Sequence, residues 1–532
     1  MVESTKRDEQ LQRLHGLRQA VPHVSKSALH HILTDVAENG LPDLMHPKAM
    51  REGADLELNK HTAYGPLFLT RSLTMIDGTQ SEFVIVNFLT LLYSACSLGG
   101  IFTETVQACV AQNGAPTLEA PWNLVLYTDE CFPGNPLGAK AGKKLWVCYA
   151  TFKEFHRSLH KEDLWLPIFV CRSSRVQQIA GHMSQVVKEL LLSIFKTDAG
   201  NPEEFGILVH DASRRPFRFV FQFSLLVQDG SAHKYCFGVK GDSGSRYCLK
   251  CANVLQLETG LVEDEAVVKM PLSKSALVLS TDAAVCASFD RLEKRHGVCP
   301  SSEFAQWEQA SGWSFSEHGI MACKELRPML RPVSSFHHDW MHGVCQGCMN
   351  IYMYLILEAL TEAGLQAWKN FTEFCHLWSL PAVQVQTTKL WDLFTPKRVE
   401  AHKKAKRLKI SASEVLSLYP IMEQYVLTIG LKTDKQTECR AFLAMCRLVH
   451  LLQSTVHGSV MGRQLDTCAE ECLQLGQACK WDAFFIKKFH WILHLGDTLE
   501  LHGALLNCWA VERKHKQILR VGQDISNLKN TK

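Results

Sequence analysis

The chain has 532 residues, more than a single hydrophobic core usually holds, so more than one domain or a large insertion is expected. Its composition, 46% hydrophobic and 21% charged without a low-complexity tract, is that of a globular protein. The net charge of +3 is nearly neutral, so only a local cluster of basic residues could indicate a nucleic-acid partner.

The cysteines and the first residues bear on the cellular compartment. The 20 cysteines are scattered, and residues 1–20 are charged throughout, without the apolar run of a secretory signal. This combination favours reduced thiols in the cytosol or nucleus, with a few of them binding metal.

One uncharged stretch, residues 83–103, is long enough to cross a bilayer, which takes about 20 residues. Asn87, Ser94 and Ser97 dilute its apolar character, and the pair Gly99-Gly100 is typical of a helix end. The stretch therefore predicts a buried core helix of about 16 residues rather than a membrane span.

The predicted elements begin with helices and then change to strands. Residues 25–40 predict a helix that Ser25 caps and Gly40 ends, and a second helix covers residues 83–98. Short runs of β-branched and aromatic residues then predict three strands. They lie at 123–128, 145–151 and 164–171.

Helical spacing returns after the third strand. Apolar residues recur with a 3.6-residue period over 175–195, and two further strands are predicted at 206–210 and 217–227. Beyond residue 270 the pattern is mostly helical. The clearest segments are 351–360, 442–452, 468–479 and 484–495.

Strand, strand, strand, helix, strand is the element order of the RNase H-like fold, an α/β core built on a mixed sheet. We therefore predict such a core with a large α-helical insertion and a helical N-terminal region. The expected regions are a helical N-terminal region (1–118), the first part of the core with a Cys-x2-Cys motif (119–252), a mainly helical insertion (253–480), and C-terminal helices that return to the core (481–532).

Two aspartates end strands that are neighbours in this fold. Asp129 ends the first predicted strand, and Asp229 ends the long strand that follows the helix. Two carboxylates at one place stay ionised only if cations neutralise them, and Mg²⁺ or Mn²⁺ prefers such oxygens. Two ions of this kind can activate a nucleophile at a phosphodiester. An aspartate after a strand is also an ordinary turn residue, and Asp211 competes for the second position.

Possible zinc ligands lie further along the chain. Cys248-x2-Cys251 has the spacing of a zinc half-site and needs two more ligands, which Asp339-x2-His342 could supply. His337 and His338 are substitutes for those two.

A second pair, Cys345-x2-Cys348, could complete a four-thiolate site instead, but it is remote in sequence and precedes a strongly apolar run. Buried free thiols are the alternative interpretation for both cysteine pairs.

The C-terminal stretch adds two histidines and a glutamate. His490 and His494 lie one helical turn apart, which favours two partly buried histidines over a zinc half-site. Glu512, in the run CWAVERKHK, would alone be read as a salt-bridge partner on a basic helix. A zinc-dependent hydrolase would require all three side chains around one metal.

Taken in order, these motifs resemble the DDE transposases of the Kyakuja–Dileera–Zisupton and CACTA-like type. The resemblance covers residues 120–520 and is carried by LVLYTDECFPGNPL, LLVQDG, VKGDSGSRYCLKC, FHHDWMHG, KFHWILHL and CWAVERKHK. Members of that superfamily carry a Cys-x2-Cys motif and an [Asp/His]-x2-His motif between the second Asp and the final Glu.

The resemblance implies an RNase H-like catalytic core in which Asp129, Asp229 and Glu512 bind two Mg²⁺ or Mn²⁺ ions. It implies nicking at transposable-element ends and joining of the freed 3′-hydroxyl to target DNA, in the nucleus. Structural zinc and a homo-oligomer are further expectations. The alternative is a catalytically inactive, transposon-derived DNA-binding or interaction protein.

Contact with duplex DNA should appear as local positive charge. Two basic runs meet this expectation, 395–411 and 213–218, although a solvated helix face is an equal reading of the first. The candidate DNA-binding residues are Lys397, Arg398, Lys403, Lys404, Lys406, Arg407, Lys409, Arg214 and Arg215.

Overall fold

A computed structural model describes the chain in ten stretches. These are residues 13–14, 16–17, 26–41, 47–59, 61–132, 144–197, 200–210, 215–256, 267–379 and 389–524.

The chain forms two compact units, 1–60 and 61–532. The first contains helices α1 (Lys26–Asn39) and α2 (Pro47–Leu58). The helix predicted over 25–40 is confirmed: Gly40 follows α1 with a φ of 77°, a left-handed conformation that glycine adopts without steric cost. The predicted cap, Ser25, lies outside the described residues.

The second unit begins with strands, so the predicted helical region 1–118 does not describe residues 61–86. Strand β1 (His61–Thr62) pairs antiparallel with β2 (Gly65–Pro66), and β3 (Phe68–Thr74) pairs antiparallel with β4 (Gln80–Val86).

Helices α3 (Phe88–Leu98) and α4 (Ile101–Asn113) follow. The helix predicted over 83–98 starts later because residues 83–86 complete β4 and Asn87 caps α3, accepting a hydrogen bond from the backbone N–H of Thr90. Among the described residues no single helix is long and apolar enough to cross a membrane; α3 and α4 meet that requirement only as a pair, which is bent by 86°.

Seven further strands complete the β-structure of the described residues. They are β5 (Trp122–Cys131), β6 (Leu145–Phe152), β7 (Leu166–Arg172), β8 (Ile207–His210), β9 (Pro216–Phe219), β10 (Phe221–Gln228) and β11 (Phe336–His338). Five of them form one mixed sheet in the order β11-β10-β5-β6-β7. In it β5, β10 and β11 are parallel, and β6 runs antiparallel to both β5 and β7.

The sequence located the three early strands well but overextended two later elements. The predicted strand 217–227 is divided at Val220, and β9 pairs with β8 in a separate hairpin. The predicted helix 175–195 is two helices, α5 (Ser173–Val176) and α6 (Met183–Phe195). Gly181 and His182, with φ of 75° and 51°, turn the chain between them.

The remainder of the chain is mainly helical, as predicted. Its α-helices are α7 (Gly230–Phe237), α8 (Asp282–Arg295), α9 (Ser301–Ser311), α10 (Asn350–Glu362), α11 (Ala367–Cys375), α12 (Pro396–Ala405), α13 (Ala412–Thr428), α14 (Gln436–Ser454), α15 (Gly462–Ala478), α16 (Lys487–Trp491), α17 (Leu495–His502) and α18 (Trp509–Asp524). A π-helix, Met341–Met349, leads into α10.

The middle of the sheet is closed to charged groups. Every residue of β6 is buried, and residues 124–127 of β5 have no exposed surface, because both faces of the sheet are covered. Ionisable side chains on these strands can therefore reach water only at the strand ends. A site built from ionisable side chains is therefore expected at the strand ends of this sheet.

Candidate metal centres

Three aspartates lie at the carboxyl ends of three adjacent parallel strands: Asp129 is within the last three residues of β5, and Asp229 and Asp339 directly follow β10 and β11. Tyr127 of β5 is level with Val227 of β10, and Gln228 of β10 is level with His338 of β11. The residues that follow these pairs are Asp129, Asp229 and Asp339, all at the carboxyl edge of the sheet. The predicted proximity of the strands that carry Asp129 and lead to Asp229 is confirmed, since β5 and β10 are hydrogen-bonded neighbours.

Glu512, on helix α18, comes to the same edge. Two carboxylate oxygens, Asp129 Oδ2 at 3.0 Å and Glu512 Oε1 at 3.2 Å, lie within hydrogen-bond distance of the Tyr127 hydroxyl and share its single proton. One buried hydroxyl therefore bridges carboxylates from β5 and from α18, the last described helix. Asp129, Asp229 and Glu512 are called the acidic centre below.

Two histidines flank the acidic centre. His515 Nε2 lies 3.4 Å from Asp129 Oδ2, and His342 Nε2 lies 3.6 Å from Glu512 Oε1. Donor atoms of Asp129, Glu512 and His515 all lie within 4.8 Å of one another, close enough to share one cation. His515 was not predicted from the sequence, although it follows Glu512 by three residues and so lies on the same helix face.

Ionising all three carboxylates of the acidic centre together is unfavourable without a cation. Burial raises the pKa of Asp229 and of Glu512, and the neighbouring charge of Asp129 raises both further. Burial also opposes ionisation of Asp129, but the hydrogen bond and charge of His515 outweigh it and lower the pKa of that carboxyl. A divalent cation would remove the repulsion among the three groups, so the donor set fits Mg²⁺ or Mn²⁺.

Asp229 also has a local structural task. It is the N-cap of α7, and its Oδ1 accepts a hydrogen bond of 2.6 Å from the backbone N–H of Ala232. Asp229 therefore has a local structural role as well, as the alternative interpretation predicted. Its other carboxylate oxygen, Oδ2, is the one that would bind a cation. The competing residue Asp211 lies outside the described residues.

Asp339 is fully buried and its oxygens already have donors. Oδ2 accepts from His342 Nδ1 at 2.6 Å and from the His342 backbone N–H at 3.0 Å. Oδ1 accepts from the backbone N–H groups of Met341 and Cys508. Burial lowers the pKa of His342, but the hydrogen bond and charge of Asp339 raise it to about 9.

These contacts correct the predicted zinc ligand set. Asp339 and His342 do not join Cys248 and Cys251; they form a group with Cys508 beside Glu512. The physical reason is the sheet: β11 delivers Asp339 to the carboxyl edge that also carries the other acids.

The two cysteines instead meet His490 and His494, in a buried group called the thiol–histidine cluster below. Nε2 of His494 lies 3.5 Å from Cys248 Sγ and 3.4 Å from Cys251 Sγ. Nε2 of His490 lies 3.6 Å from Cys251 Sγ and 3.2 Å from Nε2 of His494.

These separations fit zinc. A tetrahedral ion with Zn–S of about 2.3 Å and Zn–N of about 2.1 Å places sulfur and nitrogen about 3.6 Å apart and two nitrogens about 3.4 Å apart. Burial raises the pKa of the Cys248 thiol, but its hydrogen bond with Cys251 and its histidine neighbours hold it well below the ordinary value. Zinc requires such a thiolate.

The structure also corrects the favoured prediction for the two histidines and removes the zinc-hydrolase alternative. His490 and His494 are fully buried ligand candidates rather than ordinary partly buried histidines. They face the thiols and not Glu512, so the three do not surround one metal as a zinc hydrolase requires. Cys345 and Cys348 are buried in the π-helix and belong to no metal-binding group among the described residues.

The predicted DNA-binding residues are mostly at the surface. Of the seven between 397 and 409, called the basic segment below, six are exposed and Arg398 is half-buried. Arg215 is exposed, and Arg214 lies outside the described residues.

No family model matches the chain, and no curated protein is similar enough to count as a match. The resemblance to transposases therefore stays a prediction based on the motifs.

Proposed function

We propose that this chain is a transposase-like polynucleotidyl transferase, which nicks duplex DNA at element ends and joins the freed 3′-hydroxyl to target DNA. The observation that carries this proposal is the convergence of Asp129 and Glu512 on one buried hydroxyl, that of Tyr127. Two carboxylates so remote in sequence share a hydroxyl donor only because the fold brings them together.

The sheet supports an RNase H-like assignment. A central strand β5 has an antiparallel neighbour, β6, on one side and a parallel neighbour, β10, on the other, and acids lie at the carboxyl ends of β5 and β10. This is the arrangement on which the RNase H-like prediction was based. A cation at the carboxyl edge would be open to solvent on one side, as a substrate site requires.

Each residue of the acidic centre has a definable task. Asp129, Asp229 and Glu512 would hold two Mg²⁺ or Mn²⁺ ions, which when bound activate a nucleophilic oxygen and stabilise the leaving oxygen of a phosphodiester. Tyr127 keeps two of the carboxylates at a common distance. Asp339 accepts a hydrogen bond from the backbone N–H of Cys508, at the start of the segment that leads to Glu512.

DNA would approach along the basic segment. Burial lowers the pKa of Lys488, and the nearby Arg407 guanidinium lowers it further. The negative charge of Asp229 acts in the opposite direction. Lys488 would therefore link the exposed basic segment to the acidic centre by a path of positive charge. Such a path neutralises phosphates on either side of a bound strand.

The thiol–histidine cluster would hold a structural zinc ion. All four side chains are buried and no ligand position faces solvent, as in closed structural zinc sites. Zinc there would tie the loop after Asp229 to the C-terminal helices that carry Glu512.

The test is divalent-dependent nicking of supercoiled plasmid DNA by the purified chain. We expect Asp129→Asn, Asp229→Asn and Glu512→Gln each to reduce the nicking rate about 1,000-fold in Mn²⁺, because several kcal/mol of charge stabilisation is lost. Glu130→Gln is the matched control. It lies next to Asp129, but its carboxylate pairs with Lys144 at 2.6 Å, on the opposite face of β5.

Equal loss of nicking in Glu130→Gln, or unchanged nicking in the three variants, would contradict the assignment. Salt-dependent DNA binding without nicking in any divalent ion would instead support the non-catalytic DNA-binding alternative.

A further inference from the structure

A short stretch, residues 487–494, contributes to the thiol–histidine cluster and contacts residues adjacent to the acidic centre; it is called the bridging segment. It consists of α16 and the turn that follows, and it supplies His490 and His494 to the thiol–histidine cluster. Two of its other side chains, Lys488 and Trp491, contact residues that neighbour the acidic centre.

Lys488 makes the first of these contacts. Its Nζ donates a hydrogen bond of 2.8 Å to the backbone carbonyl of His342, the residue whose ring faces Glu512. The Lys488 side chain crosses the π-helix at Gly347, where an added Cβ would lie 2.6 Å from Lys488 Cδ. Glycine at that position is therefore what lets the ammonium reach the carbonyl.

Trp491 makes the second contact. Its indole ring lies against Gly230, the residue directly after Asp229, so closely that an added Cβ would be 2.6 Å from the ring. The same ring stacks on His338, the residue directly before Asp339, with 5.1 Å between ring centroids. The Trp491 side chain therefore packs against residues at the ends of both β10 and β11.

We propose that the bridging segment couples the two metal sites, so that filling the thiol–histidine cluster raises the affinity of the acidic centre for divalent cations. This inference rests on the proposed function, since it takes the acidic centre to bind such cations. Side chains packed this closely cannot shift independently, so moving His490 and His494 moves Lys488 and Trp491 with them.

Coupling of this kind is reciprocal and measurable. Typical couplings change affinity about 5- to 150-fold, and each ligand must change the affinity of the other by the same factor. Mn²⁺ binding is followed by electron paramagnetic resonance in zinc-loaded and zinc-depleted protein, and we expect at least about fivefold tighter binding when zinc is present. In the reverse direction, Mg²⁺, which avoids thiolates, should tighten Co²⁺ binding at the cluster, followed by the thiolate absorption bands.

Because removal of a structural zinc ion costs folding free energy, a second test uses a variant that keeps zinc in place. Lys488→Met retains the methylene packing and removes only the ammonium. Deleting a cation beside the carboxylates should by electrostatics alone strengthen Mn²⁺ binding. We expect the opposite, about fivefold weaker Mn²⁺ binding at unchanged zinc content, because the His342 carbonyl loses its anchor.

Lys487→Met is the matched control. Its ammonium lies over the Tyr247 ring, 5.2 Å from the centroid. Its Mn²⁺ affinity should equal that of the parent chain.

The outcomes separate the two proposals. Failure of zinc-loaded parent protein to bind Mn²⁺ would overturn the proposed function. A different result would overturn the coupling and leave the proposed function standing. In that case Mn²⁺ binding would be lost in Glu512→Gln, would not depend on zinc, and would be unchanged or tighter in Lys488→Met.

Discussion

The acidic centre and the thiol–histidine cluster differ in both donor type and access to solvent. The side chains of Asp129 and Glu512 are 21% and 35% exposed, whereas those of the cluster are at most 3% exposed. Oxygen donors at an open edge suit an exchangeable hard cation with substrate beside it, and buried thiolates with imidazoles suit a permanent zinc ion. The same chain therefore separates a reactive site from a structural one.

The largest effect is expected from breaking the cluster. Cys251→Ser should lose zinc and lower the Tm by more than about 10 °C, because structural zinc contributes folding free energy directly. Zinc content and thermal unfolding measure this.

Cys348→Ser is the control for that variant, a buried cysteine outside the cluster that should retain zinc. Zinc content unchanged in Cys251→Ser would show that the cluster is only four packed side chains.

The next effect tests the contact between the two regions. Gly230→Ala should destabilise the protein by about 1–3 kcal/mol, since the new methyl collides with Trp491. Combining it with Trp491→Leu should recover much of that loss in a double-mutant cycle.

Gly343→Ala serves as the comparison, because no atom lies within 4 Å of the position of its Cβ. Equal destabilisation by the two alanines would mean that backbone conformation, and not the indole, is responsible.

A smaller effect distinguishes the three acids in metal-free protein. The folded-state pKa values of Asp229 and Glu512 are raised, so their ionised forms cost stability above those pKa values, and the cost is absent below the unfolded values near 4. Asp229→Asn and Glu512→Gln should therefore raise the Tm by about 1–2 °C at pH 8 and less at pH 5.

Asp129→Asn should behave in the opposite way. The folded-state pKa of Asp129 is lowered, so its ionised form adds stability above the unfolded pKa near 4 and loses it as pH falls through the folded value. The amide should lower the Tm at pH 8. An increase for all three variants would contradict the hydrogen-bonding role of His515.

The smallest effect concerns DNA binding outside both centres. Replacing Lys404 and Arg407 by alanine should reduce the slope of log affinity against log salt by about 1.8, if each side chain contacts one phosphate. Fluorescence anisotropy with a short duplex measures the slope. The same double change at Arg291 and Lys294, two exposed residues of α8, should leave the slope unaltered.

Short-range signals predicted the elements, and they failed where the chain turns without a strong local marker. The strands at 123–128, 145–151 and 164–171 were identified because apolar runs between turn residues are local features. The break within 175–195 was not predicted because the apolar residues keep a helical period through it. The positive φ of Gly181 and His182, which interrupts the helix, is not visible in the side-chain pattern.

The sequence by itself determined the chemistry available: acids at the ends of predicted strands, a cysteine pair, and paired histidines. Which of these meet was decided only by the tertiary structure. Asp339 and His342 have metal-ligand spacing, yet the parallel pairing of β11 with β10 carries them to the acidic centre. His490 and His494 reach the thiols because helix packing, and not sequence distance, sets which donors converge.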